Sequence, residues 1–328
     1  MAYAVLGATS WGLTLAGLLA ANGHAVTVLA RTPAEAEGVN ACRGLARIPE
    51  LVLPSNVAAL AASEAPAAFE GLVVAVPAQS VRATLRSLPG LRGTPVLSAA
   101  KGIEFGSMLR VSEVITAEGW QRPAIAVLSG PNLAHEIARG LPAASVVAAQ
   151  ADAEAARWQS ALSGPAFRVY RSSDAIGVEL GGALKNVVAI AAGVAAGLDM
   201  GANAMAAIMT RGLAEMTRLG AALGADPLTF QGLAGVGDLA VTCYSPLSRN
   251  HRFGELLAHG ETPATAAGIV GEAVEGAATA PVAVALAGRL GVEMPIAEQV
   301  TAVLEGRASI AGAMQALLGR ALTAEHRG

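Results

Sequence analysis

The sequence predicts an α/β chain: a doubly wound, Rossmann-like N-terminal domain followed by a mainly α-helical C-terminal domain. Two observations carry that reading. Short, continuous apolar runs alternate with helical stretches through the first half, and strand-like runs stop near residue 172. Continuous runs, unlike alternating ones, mark strands buried on both faces of a parallel sheet. A chain of 328 residues also fits two domains better than one.

The strands are expected at "YAVL" (3–6), "AVTVLA" (25–30), "LVVAV" (72–76), "PVLSA" (95–99) and "AIAVLSG" (124–130). Runs at "ASVVAA" (144–149) and "AFRVYRS" (166–172) could extend the same sheet. Leu13, Leu15, Leu18 and Leu19 cluster at helical spacing after the first strand. Ser173 or Asp174 offers an N-cap for the first long helix of the second half. We therefore divide the chain at 1–172 and 173–328, with dinucleotide binding in the first part and substrate binding and catalysis in the second. The terminal "RALTAEHRG" reads as a frayed tail.

Composition excludes several classes. The chain is 53% hydrophobic and 14% charged, which rules out disorder. A formal net charge of −3 argues against a nucleic-acid surface, which needs clustered positive charge. Cys42 and Cys243 stand in no metal-ligand spacing and read as free thiols of a reducing compartment. No His, Cys or carboxylate cluster suggests a metal, and His24, His135, His251, His259 and His326 are too scattered to read as catalytic. Residues 1–30 carry no formal charge, yet they lack a basic n-region and are broken by glycine and polar residues. We expect no membrane span and a cytoplasmic location.

The first strand runs into "GATSWG" (7–12) and then a helix. Glycines at such a junction allow a tight turn and close approach of a pyrophosphate to the helix N-terminus. Gly7 and Gly12 fit this fingerprint, while Thr9 stands where its middle glycine is usual. Its methyl-bearing side chain is expected to weaken cofactor binding or displace the pyrophosphate slightly. The second strand ends in Ala30 and Arg31 rather than an acidic residue. An arginine there suits a 2′-phosphate and favours NADP over NAD; a solvated arginine at a strand end is the other reading.

Only two lysines, Lys101 and Lys185, occur beside twenty arginines. The arginine excess fits a general codon bias, under which two surviving lysines could be chance. They also stand where arginine would fail, because lysine can shift its pKa and exchange a proton whereas arginine cannot. Lys185 lies in the apolar "ELGGALKNVVAIAAGVAAGL", where burial should lower its pKa and make it a usable general acid. Gly181 and Gly182 would give clearance for another backbone or a ligand. Lys101 follows the strand "PVLSAA" at the carboxyl edge where open α/β sheets bind ligands. A second polar cluster, "GLAGVGDLAVTCYSPLSRNHRFG" (232–254), brings together Asp238, Thr242, Ser248, Arg249 and Asn250. "SRN" at a helix start can grip a phosphate through free N–H groups and a guanidinium, or be only a capped helix with an exposed charge.

Together these stretches resemble the bacterial NAD(P)-dependent glycerol-3-phosphate dehydrogenases. The matching motifs are "GATSWG", "VPAQS" (76–80), "KGIE" (101–104), "SGPNLAHEIARGLPAA" (129–144), "ELGGALKNVVAIAAG" (179–193), "GVGDLAVTC" (235–243), "SRN" (248–250) and "VEG" (274–276). They keep the family's order across nearly the whole chain.

The resemblance implies an oxidoreductase that interconverts dihydroxyacetone phosphate and sn-glycerol 3-phosphate with NADPH or NADH, supplying phospholipid synthesis. It implies that Lys185 is the catalytic lysine, with Asp238 orienting it and Asn186 as a second hydrogen-bond partner. Lys101, Gly130, Asn132, Lys185, Asn186, Asp238, Ser248, Arg249 and Asn250 fall on substrate positions, Asn132 replacing a more usual small hydroxyl residue. Gly7, Ser10, Trp11, Gly12, Arg31, Lys101, Ala134, Arg249 and Glu275 fall on cofactor positions. A homodimer is compatible with the apolar helical half. The alternatives are a related NADP-dependent hydroxy-acid or ketopantoate-type reductase, or a catalytically silent NADP-binding sensor.

Overall fold

The computed structural model describes residues 2–321; residues 322–328 of the expected tail, His326 among them, lie outside the described residues. The first half is built as β1 (Ala2–Leu6), α1 (Ser10–Ala21), β2 (Ala25–Ala30), α2 (Pro33–Cys42), β3 (Val57–Ala61), β4 (Gly71–Val74), α3 (Val81–Arg86), β5 (Val96–Ser98), α4 (Val111–Ala117), β6 (Ile125–Ser129), α5 (Ala134–Ala138), β7 (Ala143–Ala149), α6 (Asp152–Leu162) and β8 (Phe167–Ser172). The eight strands form one sheet in the order β3-β2-β1-β4-β5-β6-β7-β8. The order reverses beside β1, which sets a crevice at the carboxyl edge between β1 and β4, the usual ligand position in open sheets.

Alternate residues of the buried strands feed two separate cores. Tyr3, Val5, Val26 and Val28 pack with Leu13, Leu15, Leu19 and Trp158 of α1 and α6. Ala4, Leu6, Leu72 and Val74 pack with Val81, Leu85, Val114 and Ile115 of α3 and α4. Helices thus cover both faces, as the continuous apolar strands required.

Two details depart from the sequence reading. β3 was not expected: "VAALA" is short and alanine-rich, and it is held as an edge strand parallel to β2. β7 runs antiparallel to β6 rather than parallel. The chain leaving β6 stays on the carboxyl edge through α5 and turns straight back, instead of crossing beneath the sheet as a parallel connection must.

The second half comprises α7 (Ala175–Gly197), α8 (Gly201–Ala222), α9 (Asp238–Tyr244), α10 (Arg249–Ala258), α11 (Pro263–Val270), α12 (Glu275–Leu290), α13 (Pro295–Leu304) and α14 (Ile310–Leu318). Asp174 caps α7, its Oδ1 accepting from Gly177 N at 2.8 Å. α7 is the one described helix long and apolar enough to cross a membrane, but 78% of its most apolar window is buried inside the protein. Leu184, Val187, Val188 and Ile190 of α7 pack against Met216, Leu219, Phe253, Ala280 and Ile296 from the helices around it. The sheet meets this domain through a small apolar contact, Val127 and Ala148 against Val178 and Ala234.

Candidate active site

The interior of α7 holds the first part of the site. Lys185 is buried, and its Nζ donates to Oδ1 of Asp238 and, at 2.7 Å, to Oγ1 of Thr242. The Thr242 hydroxyl can accept because its own proton goes to Asp238 O at 2.6 Å. Asp238 is completely buried and opens α9, directly after a π-helical turn at Leu233–Gly237. Such turns interrupt the regular ladder and recur at functional sites.

Lys101 reaches the same carboxylate from the sheet. Its Nζ donates to Asp238 Oδ2 at 2.7 Å and to Gly130 O at 3.0 Å, and Ser129 Oγ adds a contact to Oδ2 at 3.3 Å. The two lysines that the sequence sets apart therefore meet on one acid, across the domain junction.

The glycines before Lys185 have identifiable neighbours. A Cβ on Gly181 would come within 2.3 Å of Ala234 O, in the turn that presents Asp238. A Cβ on Gly182 would meet Ser129 Oγ at 2.5 Å and Lys101 Cγ at 3.4 Å. The clearance expected there lets the backbone of the π-helical turn and the Ser129 and Lys101 side chains close on α7.

Burial is the largest influence on Lys185 and lowers its pKa to about 8, with Asp238 opposing the shift and Lys101 adding to it. Burial alone would raise the Asp238 carboxyl, but Lys101 and Lys185 together hold it below its ordinary value. An ionised acid thus sits between two cations, one poised to release a proton near neutral pH.

Asn186 differs from expectation in one respect. Its amide does not bond Lys185; Nδ2 donates to Lys101 O and Gly182 O, each at 3.2 Å, and Oδ1 accepts from Asn250 Nδ2 at 2.9 Å. Asn186 and Lys185 are adjacent on a helix and so point in different directions, whereas Thr242 lies one turn after Asp238 on the same face of α9. Asn250 accepts from Gly276 N at 2.9 Å, so it joins α10 to the start of α12. Ser248 caps α10, accepting from His251 N at 3.3 Å, and Arg249 projects from the first position with its side chain 43% exposed. Gly130 and Asn132 follow β6 on one loop and Ala134 opens α5; Asn132 Nδ2 donates to Ser145 Oγ at 3.1 Å while its Oδ1 is buried without a partner among the described residues.

The crevice at the head of β1 fits a dinucleotide. Gly7 has φ +109°, and a Cβ there would meet Val76 Cγ1 at 2.8 Å, so only glycine turns the chain this tightly. Among the described residues no acceptor takes the N–H groups of Ser10 and Trp11 at the start of α1, and the buried indole Nε1 of Trp11 is also unpartnered. Free donors at a helix N-terminus suit a phosphate. Thr9 Oγ1 donates to Ala75 O at 2.8 Å and accepts from Gly12 N at 3.0 Å, capping α1. Arg31 is exposed just past β2, and its guanidinium pairs with no described residue. Glu275 is tied across the cleft, its Oε1 accepting from Ala78 N at 3.0 Å, and burial raises its pKa. No group of three or more His, Cys, Asp or Glu able to hold a metal occurs among the described residues.

With this geometry in place, similarity to known proteins is specific. The sequence profile for the NAD-dependent glycerol-3-phosphate dehydrogenase N-terminus matches residues 2–155, and that for the C-terminus matches residues 174–315. The chain belongs to the NAD-dependent glycerol-3-phosphate dehydrogenase family. It is 45% identical to glycerol-3-phosphate dehydrogenase [NAD(P)+] of Streptomyces coelicolor, over 99% of this chain and 98% of that one. The crystal structure of glycerol-3-phosphate dehydrogenase from Coxiella burnetii superposes with a TM-score of 0.91 at 36% identity, covering 97% of this chain and 99% of that one. A ketopantoate reductase from Ralstonia eutropha superposes with a TM-score of 0.57 at 17% identity, a likeness of fold alone.

One member of the site was missed from sequence: Ser129, which touches the buried ionic cluster through Asp238. Thr242 was named in the polar cluster but not as a partner of Lys185, although its i+4 spacing from Asp238 carried a signal, and the Lys101–Asp238 contact spans 137 positions.

Proposed function

We propose that this protein is a cytoplasmic NAD(P)-dependent glycerol-3-phosphate dehydrogenase that interconverts dihydroxyacetone phosphate and sn-glycerol 3-phosphate, feeding phospholipid synthesis. The observation that carries this reading is the buried Lys185–Asp238–Lys101 cluster at the junction of a dinucleotide-binding sheet and a helical domain of this family. Full-length similarity to glycerol-3-phosphate dehydrogenases favours it over a hydroxy-acid or ketopantoate-type reductase and over a silent sensor.

When bound, the nicotinamide supplies the hydride. Residues 1–172 seat the cofactor, with Gly7 and Gly12 shaping the turn, Ser10 and Trp11 donating to its phosphates and Arg31 meeting a 2′-phosphate. Ala134 and Glu275 would complete the set of residues that hold the cofactor. Residues 173–328 bring Lys185 to the substrate carbonyl. Its ammonium polarises the C2 oxygen and delivers the proton that the alkoxide needs. Asp238 orients Lys185 and keeps it charged until the proton moves. Lys101, with Gly130 and Asn132 on the loop beside it, places a second positive charge close by. Ser248 and Arg249 at the start of α10 hold the substrate phosphate, and Asn250 with Asn186 fixes α10 against α7 so that this grip is in register with Lys185.

Following NADPH oxidation with dihydroxyacetone phosphate, against ketopantoate and 2-oxo acids as comparison substrates, tests the proposal. Turnover confined to dihydroxyacetone phosphate is expected; turnover only with an unphosphorylated oxo acid would replace the assignment. Homodimer formation belongs to the same proposal, supported by the apolar groove between α8 and α14 that exposes Ile208, Leu213, Met314 and Leu317. A single-chain mass in sedimentation would remove that part.

A further inference from the structure

One carboxylate oxygen, Oε2 of Glu272, gathers groups from both sides of the cleft. Ser10 Oγ donates to it at 3.2 Å, Arg47 Nε lies 3.4 Å away, and Arg249 Nη1 lies 3.5 Å away. Arg47 Nε also donates to Ser10 Oγ at 2.8 Å, so a relay runs from guanidinium to hydroxyl to carboxylate. Ser10 opens α1 at the dinucleotide crevice, Arg249 opens α10, and Glu272 lies in the connection between α11 and α12.

Arg47 is held in place by its own loop. Arg43, four residues earlier, donates to Val57 O at 2.8 Å and to Pro54 O, which pins the segment between α2 and β3 against the sheet. The arginine thus projects from a fixed support towards the first turn of α1. Side-chain exposures of 44% for Arg47, 43% for Arg249 and 24% for Glu272 leave the cluster open to solvent and exchangeable.

A hydroxyl and two guanidinium groups around one anionic oxygen, beside the free N–H groups of a helix N-terminus, form a phosphate-binding geometry. We propose that Arg47 is a further cofactor-binding residue and that Glu272 is an internal anion occupying the seat of the cofactor's pyrophosphate, to be displaced when the dinucleotide binds. This rests on the dinucleotide-dependent reading above. The 2′-phosphate is the less suitable occupant, because Arg31, outside this cluster and directly past β2, is the residue read as meeting it. Displacement frees Ser10, Arg47 and Arg249 together, so the same event that seats the cofactor releases Arg249 towards the substrate phosphate.

The test is direct binding, followed by NADPH fluorescence and by calorimetry with ADP-ribose (pyrophosphate without 2′-phosphate), 2′-AMP (the reverse) and dihydroxyacetone phosphate. Glu272→Gln should tighten NADPH and ADP-ribose about three- to tenfold at low salt, the range expected for releasing exposed ion pairs, and leave 2′-AMP unchanged. Arg47→Ala should weaken NADPH and ADP-ribose. The gain from Glu272→Gln should shrink in the Arg47→Ala background, since the two changes act on one contact. Thermal melts of each variant close to that of the parent establish that folding is intact, as exposure of both residues leads one to expect.

An equal gain for 2′-AMP, or an equal gain in both backgrounds, would reduce the effect to a general change of field and overturn the proposal. So would a gain for dihydroxyacetone phosphate with none for ADP-ribose, or weaker NADPH binding in Glu272→Gln. Failure of the unsubstituted protein to bind NADPH at all would instead refute the functional reading on which the proposal stands.

Discussion

Lys101 and Lys185 hold opposite oxygens of one buried carboxylate, that of Asp238. Two cations on one anion leave the ionised cluster with a net positive charge in a largely buried site. Buried charge of that kind needs a compensating anion, and an anionic substrate or the alkoxide formed on its carbonyl supplies one. The arrangement also divides labour: Lys185 is the more buried of the two and has its pKa lowered by that burial, whereas the Lys101 side chain keeps more contact with the cleft.

Lys185→Arg tests the proton-donor role. Arginine keeps the charge but does not release a proton in a protein. The variant is expected to bind NADPH while turnover with dihydroxyacetone phosphate falls at least about a hundredfold, the usual contribution of a general acid. Near-parental kcat would end the assignment.

Asp238→Asn removes the counter-charge shared by both lysines. With the Lys185 pKa at about 8, carbonyl reduction should decline as the pH rises through that value and the donor is lost. Loss of the carboxylate removes the negative charge that holds Lys185 protonated, so this limb should move to lower pH. Stability should also drop by about 3–5 kcal/mol, because two buried ammonium groups lose their partner. A kcat profile with its alkaline limb unmoved would show that another group titrates there.

Gly181→Ala and Gly182→Ala should differ. The Cβ of the first meets the Ala234 carbonyl, backbone that cannot turn aside; that of the second meets the Ser129 hydroxyl, which can rotate. We expect Gly181→Ala to cost about 1–3 kcal/mol in urea unfolding, as overpacking does, and to impair turnover by shifting Asp238. Gly182→Ala should be milder. The reverse order would contradict the packing described here.

The sheet and the long helices were legible because burial on both faces and helical periodicity leave marks within a short stretch of chain. β3 left little mark, since Ala58, Ala59 and Ala61 carry no strong β preference, and it is pairing with β2 that makes it a strand. The direction of β7 was equally hidden, because a buried strand has the same composition whichever way it runs. In the site, Lys185 announced itself as a charge in an apolar helix. Its bond to Thr242 and the approach of Lys101 depend on how α9 and β5 meet α7, which no local pattern encodes. The Thr9 side chain shows the same limit: the sequence placed a hydroxyl at the fingerprint but not its turn inward to Ala75.

Glu215 provides a pH test away from catalysis. It accepts from Ile296 N at 2.7 Å and Ala297 N at 3.2 Å at the start of α13, yet burial outweighs these bonds and raises its pKa to about 7. Between its ordinary value near 4.5 and about 7 the folded state holds the proton that the unfolded chain has lost. The resulting stabilisation is complete below the lower value and disappears as the pH rises through the upper one, a difference of about 3 kcal/mol. Unfolding curves of the parent relative to Glu215→Gln should therefore diverge in the parent's favour between pH 7 and pH 5. Parallel curves would mean that Glu215 titrates normally.

Arg31→Ala bears on cofactor choice. On the proposed reading the free guanidinium past β2 would meet a 2′-phosphate, and a hydrogen bond to a charged group contributes about 1.5–3 kcal/mol. NADPH affinity should fall about ten- to a hundredfold, while NADH, which lacks that phosphate, should bind as before. The comparison is internal, so a general loss of folding would weaken both cofactors alike and be recognised. Equal weakening of both in a variant that melts normally would place Arg31 on the adenine or ribose that the two share, and would remove it as the source of any preference for NADP.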